Sequence, residues 1–473
     1  MSGPATRSLA FACKAMGATL VGEPAALGAT RFVGAASDSR EVKPGRLFFA
    51  LPGERVDGFD FCAAAVQAGA AAVVVAAGRG RPAGCSGIPV IAVADPRKAL
   101  GDLAAAVRQK YRGQVVGVTG SNGKTTTKEL IAAALGSAGS VLRTQGNLNT
   151  DVGLPLTVLE STGKEDFWVL EMAMRGPGEI AYLARIAVPQ VGVVTNVAAA
   201  HLGLLGSIEA VARAKGEIFH GLAADGIAVL PVDEPRLEPE VAALPEARKR
   251  RFGFAGGSAH AFVRIMEFIP AGAAGSLVRL SVDKEPVVLR LPLAGEHNAR
   301  NAAAALAVSS ALGVPLLPAA AALERATLPP HRSHVLLLGG RTVLDDCYNA
   351  NPTSMSAALR TLVGSAGRFG RAFAILGDML ELGDATAALH HAIGQEAARI
   401  GVAGLAVVGS LGAKIAEGAT TAGMLPSLAL ACDDPEAAAQ AVSTWTVPGD
   451  WILVKASRGM RLERAVEALR KKR

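Results

Sequence analysis

Residues 117–130 read GVTGSNGKTTTKEL, a glycine turn that runs into a lysine and consecutive threonines. The common phosphate-binding loop sets its first glycine four residues ahead of Gly-Lys-Ser/Thr. Here five residues separate Gly117 from Gly123, and the additional glycine is Gly120. The chemistry survives that change. Val115, Val116 and Val118 predict a strand entering the turn, and residues 125–134 predict a helix leaving it. Backbone N–H groups of Gly120, Ser121, Asn122 and Gly123 would then meet the phosphates of a nucleotide at a helix start. Lys124 supplies a point charge, Thr125 offers a hydroxyl to Mg²⁺, and Thr126 follows in the same turn.

Other residues suit the same chemistry. Glu171 follows an apolar run, which places a carboxylate at the end of a buried strand, either to hold Mg²⁺ or to cap the strand. His201, in TNVAAAHLG, lies a few residues past another strand and reads as a metal ligand or as a packed imidazole. Lys215 falls on the helical stripe of Ile208, Val211, Ile218, Phe219 and Leu222. A lysine on a buried face either snorkels to water or loses its charge. A neutral amine can react with CO₂ to give a carbamate, which turns a cation into a metal-binding anion. In GEHNARN, Asn298 and Asn301 stand one helical turn apart, as helix-start residues or as a pair that hydrogen-bonds a base or ribose. LDDCYNANPTSM sets Asp345 and Asp346 after an apolar run with Pro352 at a helix start, a polar turn or a pair of carboxylates for ribose or, indirectly, Mg²⁺. Arg332 follows Pro329 and Pro330 and could reach a γ-phosphate.

Such residues need elements that deliver them to one edge of a sheet. From Gln114 onward VVGVTG, DFWVLEMAM, QVGVVTN and GIAVLPVD alternate with alanine-rich helices, the pattern of a parallel α/β sheet whose ligands bind beyond the carboxyl ends of the strands. Short alternating runs between Arg251 and Leu293 add further strands. Residues 1–110 form a separate block, 111–328 carry the loop, and the prolines of ATLPPHRSH mark a boundary. Residues 329–473 alternate again in RAFAILGD, GLAVVGS and DWILVKASRG, as in a doubly wound domain. Three domains suit 473 residues at ~150 each.

Half the residues are hydrophobic and 19% charged, which excludes a disordered chain. The net charge of +7 fits polyanionic small substrates. Its basic residues are scattered, and RKRR at 248–251 reads as a solvated loop, so nucleic acid is not an expected partner. AGAAAVVVAAG is short of the ~20 residues a span requires, and the apolar run 302–323 is broken by Pro315 and Pro318, so membrane insertion is not expected. The first residues lack an export signal, and five cysteines without C-x-x-C spacing read as free thiols in a reducing cytoplasm, with no structural zinc.

Ten stretches in order carry a resemblance to the Mur ligases of peptidoglycan synthesis: DSREVKPGRLFFALPGERVDGFDF, VTGSNGKTTTKE, QGNLNTDVGLPLT, LEMAMRGPGEI, TNVAAAHL, ARAKGEIF, GEHNARNAAAA, DDCYNANPTSM, LGDMLELG and LVKASRGMRLE. The resemblance covers almost the whole chain. It implies a UDP-sugar domain, a central parallel-sheet P-loop ATPase domain and a C-terminal Rossmann-like domain. It also implies a cytoplasmic, ADP-forming amide ligase, expected as a monomer, that joins D-Ala-D-Ala to the terminal carboxylate of UDP-N-acetylmuramoyl-tripeptide through an acyl phosphate. A sister ligase adding diaminopimelate or lysine as the third residue is the alternative, disfavoured by YNANP. By the same resemblance Lys124 holds the ATP phosphates, Thr125 and Glu171 one Mg²⁺, and His201 with a carbamylated Lys215 a second; Lys124, His201 and Lys215 form the catalytic set. Asn298 and Asn301 fall on the adenine side, with Arg332 and Asp346 closing the ATP site. Ser39, Arg40, Phe49 and Asn149 fall to the substrate. The chain departs from the family's pattern at PHRSH, VKASRGM and PVDEP.

Overall fold

Runs of β-branched residues flanked by glycine or polar residues form the strands, as the alternation requires. A computed structural model of the protein describes residues 3–20, 29–53, 56–198, 205–256, 261–367 and 370–471. The chain divides into two compact units, the first comprising residues 1–119, 139–192 and 217–227, the second residues 120–138, 193–216 and 228–473.

In the first unit β1 (Thr6–Ser8) pairs antiparallel with β3 (Arg31–Val33). A five-stranded sheet runs in the order β2 (Thr19–Leu20), β7 (Val90–Val93), β6 (Ala72–Ala76), β5 (Leu47–Phe49) and β4 (Ala35–Ala36). It is parallel except at β2. The alanine-valine run considered as a membrane stretch is therefore a core strand, β6. Farther along the chain β10 (Phe167–Glu171) lies between β8 (Gln114–Thr119) and β9 (Val141–Arg143), parallel to both, with Glu171 in register with Val118. Every residue of β10 is buried, which is why the strand reads as a continuous apolar run.

β11 (Val191–Val194) spans the boundary between the two sets of residues. In the second unit β13 (Lys249–Phe254) is parallel to β12 (Ile227–Pro231) and to β14 (Val263–Pro270). β15 (Ser276–Val282) and β16 (Glu285–Leu291) then continue antiparallel, so the alternating runs expected between Arg251 and Leu293 are strands. The basic run RKRR is not a solvated loop. Residues 249–251 open β13, where Arg251 pairs with Glu238 and Glu246 and Lys249 with Glu246. Neighbouring carboxylates neutralise the run and allow it to pair as a strand.

The remaining sheet of this unit has the order β17 (His334–Leu338), β18 (Arg341–Asp345), β22 (Trp451–Lys455), β19 (Ala372–Gly377), β20 (Gly404–Val408) and β21 (Ala429–Cys432). Only β17 is antiparallel to its neighbour. Alternate residues feed two cores. Leu344, Ala374, Leu376, Leu405, Val407 and Leu453 pack on one face. Val343, Phe373, Ile375, Ala406, Val408, Ile452 and Val454 pack on the other. Helices cover both faces, the doubly wound α/β arrangement expected from the alternation. No helix of the described residues is long and apolar enough to cross a membrane.

Candidate active site

The glycine turn lies in the second unit, where the helix Lys124–Leu135 begins directly after Gly123. Gly123 adopts φ +76°, and no side chain caps the helix start. Orphan N–H groups and the positive end of the helix dipole therefore meet at the turn, the arrangement that binds phosphate. Residues 195–198 hold the turn in place. Ser121 N–H donates to Asn196 O at 3.0 Å and Asn122 N–H to Asn196 Oδ1 at 2.9 Å. Asn122 O accepts from Asn196 Nδ2 at 2.9 Å and from the Thr195 hydroxyl at 2.6 Å. The Asn122 side chain takes a further bond from Asn351 Nδ2 at 2.6 Å. Its own Nδ2 is buried without a hydrogen-bond partner among the described residues. A buried, unpaired donor in this turn suits a phosphate oxygen.

Lys124 folds back to donate to Gly120 O at 2.8 Å. Thr125 and Thr126 are buried in the first turn of the helix. Asn298 and Asn301 form a chain behind it: Thr127 Oγ1 donates to Asn301 Oδ1 at 3.1 Å, Asn301 Nδ2 to Asn298 Oδ1 at 3.1 Å, and Asn298 Nδ2 to Ala294 O at 2.8 Å. The two asparagines are thus joined to one another, and Asn301 braces the helix of the turn.

Lys215 is 2% exposed. Burial, reinforced by the positive charge of Lys124, holds its amine well below the ordinary lysine value, the neutral form that snorkelling would not give. His201 lies outside the described residues. Asp346 accepts from Ser333 N–H at 2.9 Å and pairs with the buried Lys455, whose ammonium also donates to Asn349 O at 3.0 Å. His297 is half-buried beside this pair; desolvation lowers its pKa against the pull of Asp346, and Lys455 lowers it further. The Arg332 guanidinium stacks over Tyr348 at 3.9 Å.

Five of the candidate substrate and metal residues, Ser39, Arg40, Phe49, Asn149 and Glu171, belong to the first unit. The Glu171 carboxylate is buried and accepts from Asn149 Nδ2 at 2.8 Å, while Glu171 N–H donates to Thr144 Oγ1 at 2.9 Å. Arg40 lies with Ser39 in a short turn capped by Asp38. The Arg40 guanidinium hydrogen-bonds Asp38 and holds that carboxyl down at about 2. Phe49 is wholly buried in β5. Hydroxyl and carboxylate oxygens at Thr125 and Glu171 are hard donors of the kind Mg²⁺ takes.

Sequence reasoning missed Asn196, Asn351, His297 and Lys455. The position of Asn196 directly past the valines of β11 was the available signal, since strand carboxyl ends carry ligand-side residues.

Family comparison places this geometry among known proteins. The model described as Mur ligase middle domain matches residues 118–309, that of the Mur ligase glutamate ligase domain residues 331–458, and that of the Mur ligase catalytic domain residues 31–108. The UDP-N-acetylmuramoyl-tripeptide--D-alanyl-D-alanine ligase of Bacillus subtilis (strain 168) is 37% identical over 437 residues, covering 92% of this chain and 93% of the relative. A crystal structure of MurF from Acinetobacter baumannii superposes with a TM-score of 0.88 at 31% identity, covering 99% of this chain and 100% of that one. MurF from Thermotoga maritima in complex with ADP gives 0.80 at 32% identity, covering 93% of this chain and 97% of that one.

Proposed function

The chain belongs to the Mur ligase family, and on that footing we propose that it joins D-Ala-D-Ala to the terminal carboxylate of UDP-N-acetylmuramoyl-tripeptide, using ATP, for peptidoglycan synthesis. The observation that carries this reading is the 37% identity to a ligase of that name along nearly the full length of both chains. The uncapped helix start after Gly123 supports the use of ATP.

A carboxylate oxygen is too poor a leaving group for an amine to displace. Transfer of the γ-phosphoryl group to the carboxylate gives an acyl phosphate and ADP. The amino group of D-Ala-D-Ala attacks the acyl carbon, loses a proton, and phosphate departs as the amide bond forms. In this chain the turn amides and Lys124 orient the triphosphate and offset the repulsion between two anions. Lys124, now folded onto Gly120 O, is within the turn it would leave to meet phosphate. Asn301 and Asn196 keep the turn in shape, and with Asn298, Arg332 and Asp346 they are assigned to the nucleotide side. Ser39, Arg40, Phe49 and Asn149 are assigned to the UDP-sugar peptide.

Thr125, Glu171, His201 and Lys215 are the residues assigned to Mg²⁺, two ions in all. When bound, Mg²⁺ neutralises phosphate charge. A neutral Lys215 amine is the form that takes up CO₂, releasing a proton as the carbamate forms, so its burial supports that modification. The reading includes three domains at 1–110, 111–328 and 329–473, a cytoplasmic location and a monomer.

Phosphate release with Mg²⁺ and ATP tests the reading, with each substrate given alone and both together and the product weighed by mass spectrometry. Release that requires both, with a UDP-pentapeptide formed, is the expected result. Turnover with a free amino acid in place of the dipeptide would instead assign a sister ligase.

A further inference from the structure

His331, Asp345 and Cys347 are given no role in the reaction proposed above, yet they converge. Asp345 ends β18, and its Oδ2 lies 2.8 Å from His331 Nδ1 and its Oδ1 3.0 Å from Cys347 Sγ. The three donor atoms all lie within 4.8 Å of one another, the one such group of histidine, cysteine and carboxylate ligands among the described residues. Antiparallel pairing of His334 with Asp345 brings the segment before β17 to the end of β18, which delivers His331 from one side and Cys347 from the other. His331 holds φ +64°, a left-handed conformation that disfavours a side-chain-bearing residue, and its carbonyl accepts from Tyr348 N–H at 3.1 Å. A residue held in that conformation is an outlier from which a function can be argued.

Cys347 is 1% exposed and Asp345 3%, whereas the His331 side chain is 31% exposed and opens the group to solvent. An ionised carboxylate only accepts hydrogen bonds, so both the imidazole Nδ1–H and the thiol S–H point at Asp345. One carboxylate thus collects two protons that a single dication can replace.

We propose that His331, Asp345 and Cys347 form a binding site for a divalent transition metal of the zinc class, with water as the fourth ligand. On binding, the thiol proton leaves to solvent, the imidazole proton is carried on Nε2, and Nδ1, Sγ and a carboxylate oxygen bond the metal. Thiolate and carboxylate together cancel its two charges, so the buried group becomes neutral. Bonds of about 2.0–2.3 Å in a tetrahedron set donors roughly 3.3–3.7 Å apart, so the two short contacts to Asp345 widen by roughly half an ångström and any donor pair nearer the 4.8 Å limit draws together. Sulfur and imidazole donors select zinc, cobalt or copper over Mg²⁺, which keeps the site separate from the ions used with ATP. Spacing rules for paired cysteines cannot find such a site, because it draws on one cysteine and two other donor types.

Cobalt(II) titration of the full chain, stripped with chelator and kept reduced, tests the proposal. The expected result is a one-equivalent complex with tetrahedral visible bands and a thiolate-to-cobalt charge-transfer band in the near ultraviolet, displaced by zinc and unaffected by excess Mg²⁺. Cys347→Ser should abolish the charge-transfer band, and His331→Gly should weaken cobalt affinity at least tenfold. Glycine accepts φ +64°, so the latter variant is expected to fold, as its circular dichroism would verify. Absence of the band in the native chain, its persistence in Cys347→Ser, or native cobalt affinity in folded His331→Gly would each overturn the proposal.

Discussion

Gly123→Ala places a methyl group at the left-handed residue from which the helix of the turn starts. The residue sits at φ +76°, and an added Cβ would lie 2.7 Å from Asn301 Oδ1 and 3.3 Å from its Nδ2. Left-handed backbone costs a side-chain-bearing residue ~1–2 kcal/mol. Asn301 is buried and must move, which breaks its bond with Thr127 Oγ1, worth about 1 kcal/mol. Together these amount to ~2–3 kcal/mol if ATP must restore the turn, or roughly 30- to 150-fold in kcat/KM for ATP. Gly313→Ala is the control, because Gly313 has φ +70° and an added Cβ meets nothing within 4 Å. The assay is ADP formation against ATP concentration for both variants, with circular dichroism and thermal unfolding to verify that each folds. Gly313→Ala should stay within about threefold of the parent, since its strain lies away from the turn. Equal kcat/KM losses in the two variants would refute the reasoning, because backbone strain alone would then account for both.

Lys215→Met should abolish ligation yet raise thermal stability at neutral pH. The folded chain holds this amine neutral while the unfolded chain protonates it, so native stability should rise with pH from the depressed value up to ~10.4, by at most about 1.4 kcal/mol per pH unit, and paired melts in CO₂-free buffer should show the slope vanish in the variant. Asp346→Ala leaves the buried Lys455 ammonium without its counter-charge and should cost ~3–5 kcal/mol, whereas the double change with Lys455→Met should recover much of it; denaturant unfolding followed by a probe in this domain distinguishes the two. Asn351→Ala removes the capping box of the helix Pro352–Ala366, costing about 1 kcal/mol, and also the bond to Asn122, so a thermal shift should accompany a raised KM for ATP. An unchanged KM would confine Asn351 to capping.

The elements were legible wherever composition and period agreed. β8, β10, β19, β20 and β22 are predominantly apolar runs, buried on both faces apart from Gln114, so their apolar character marks them without help from turns. RKRR misled because propensity and charge alone do not disclose partners, and the acids that pair with Arg251 stand at Glu238 and Glu246. The loop, Glu171 and Lys215 stood out because glycine, a carboxylate after an apolar run, and a lysine on an apolar stripe each break a local rule. Asn298 and Asn301 were legible as a pair one turn apart, but not as a brace for Thr127, whose partner is distant in sequence. His331 was hidden for a related reason: its meaning depends on a backbone angle and on two residues beyond the next hairpin.

The unusual glycine spacing follows from the segment that lies against the turn. A Cβ at Gly120, which has φ +148°, would come within 1.8 Å of Thr195 Oγ1, so no other residue fits there while Thr195 keeps its place. Thr195 cannot retreat without releasing Asn122 O, and Asn196 closes the same turn through Ser121 and Asn122. A shorter turn with its glycine elsewhere would lose those bonds. The fifth residue and the displaced glycine therefore act with Thr195 and Asn196 as one device, which fixes the turn before nucleotide arrives and lowers the ordering cost of binding it.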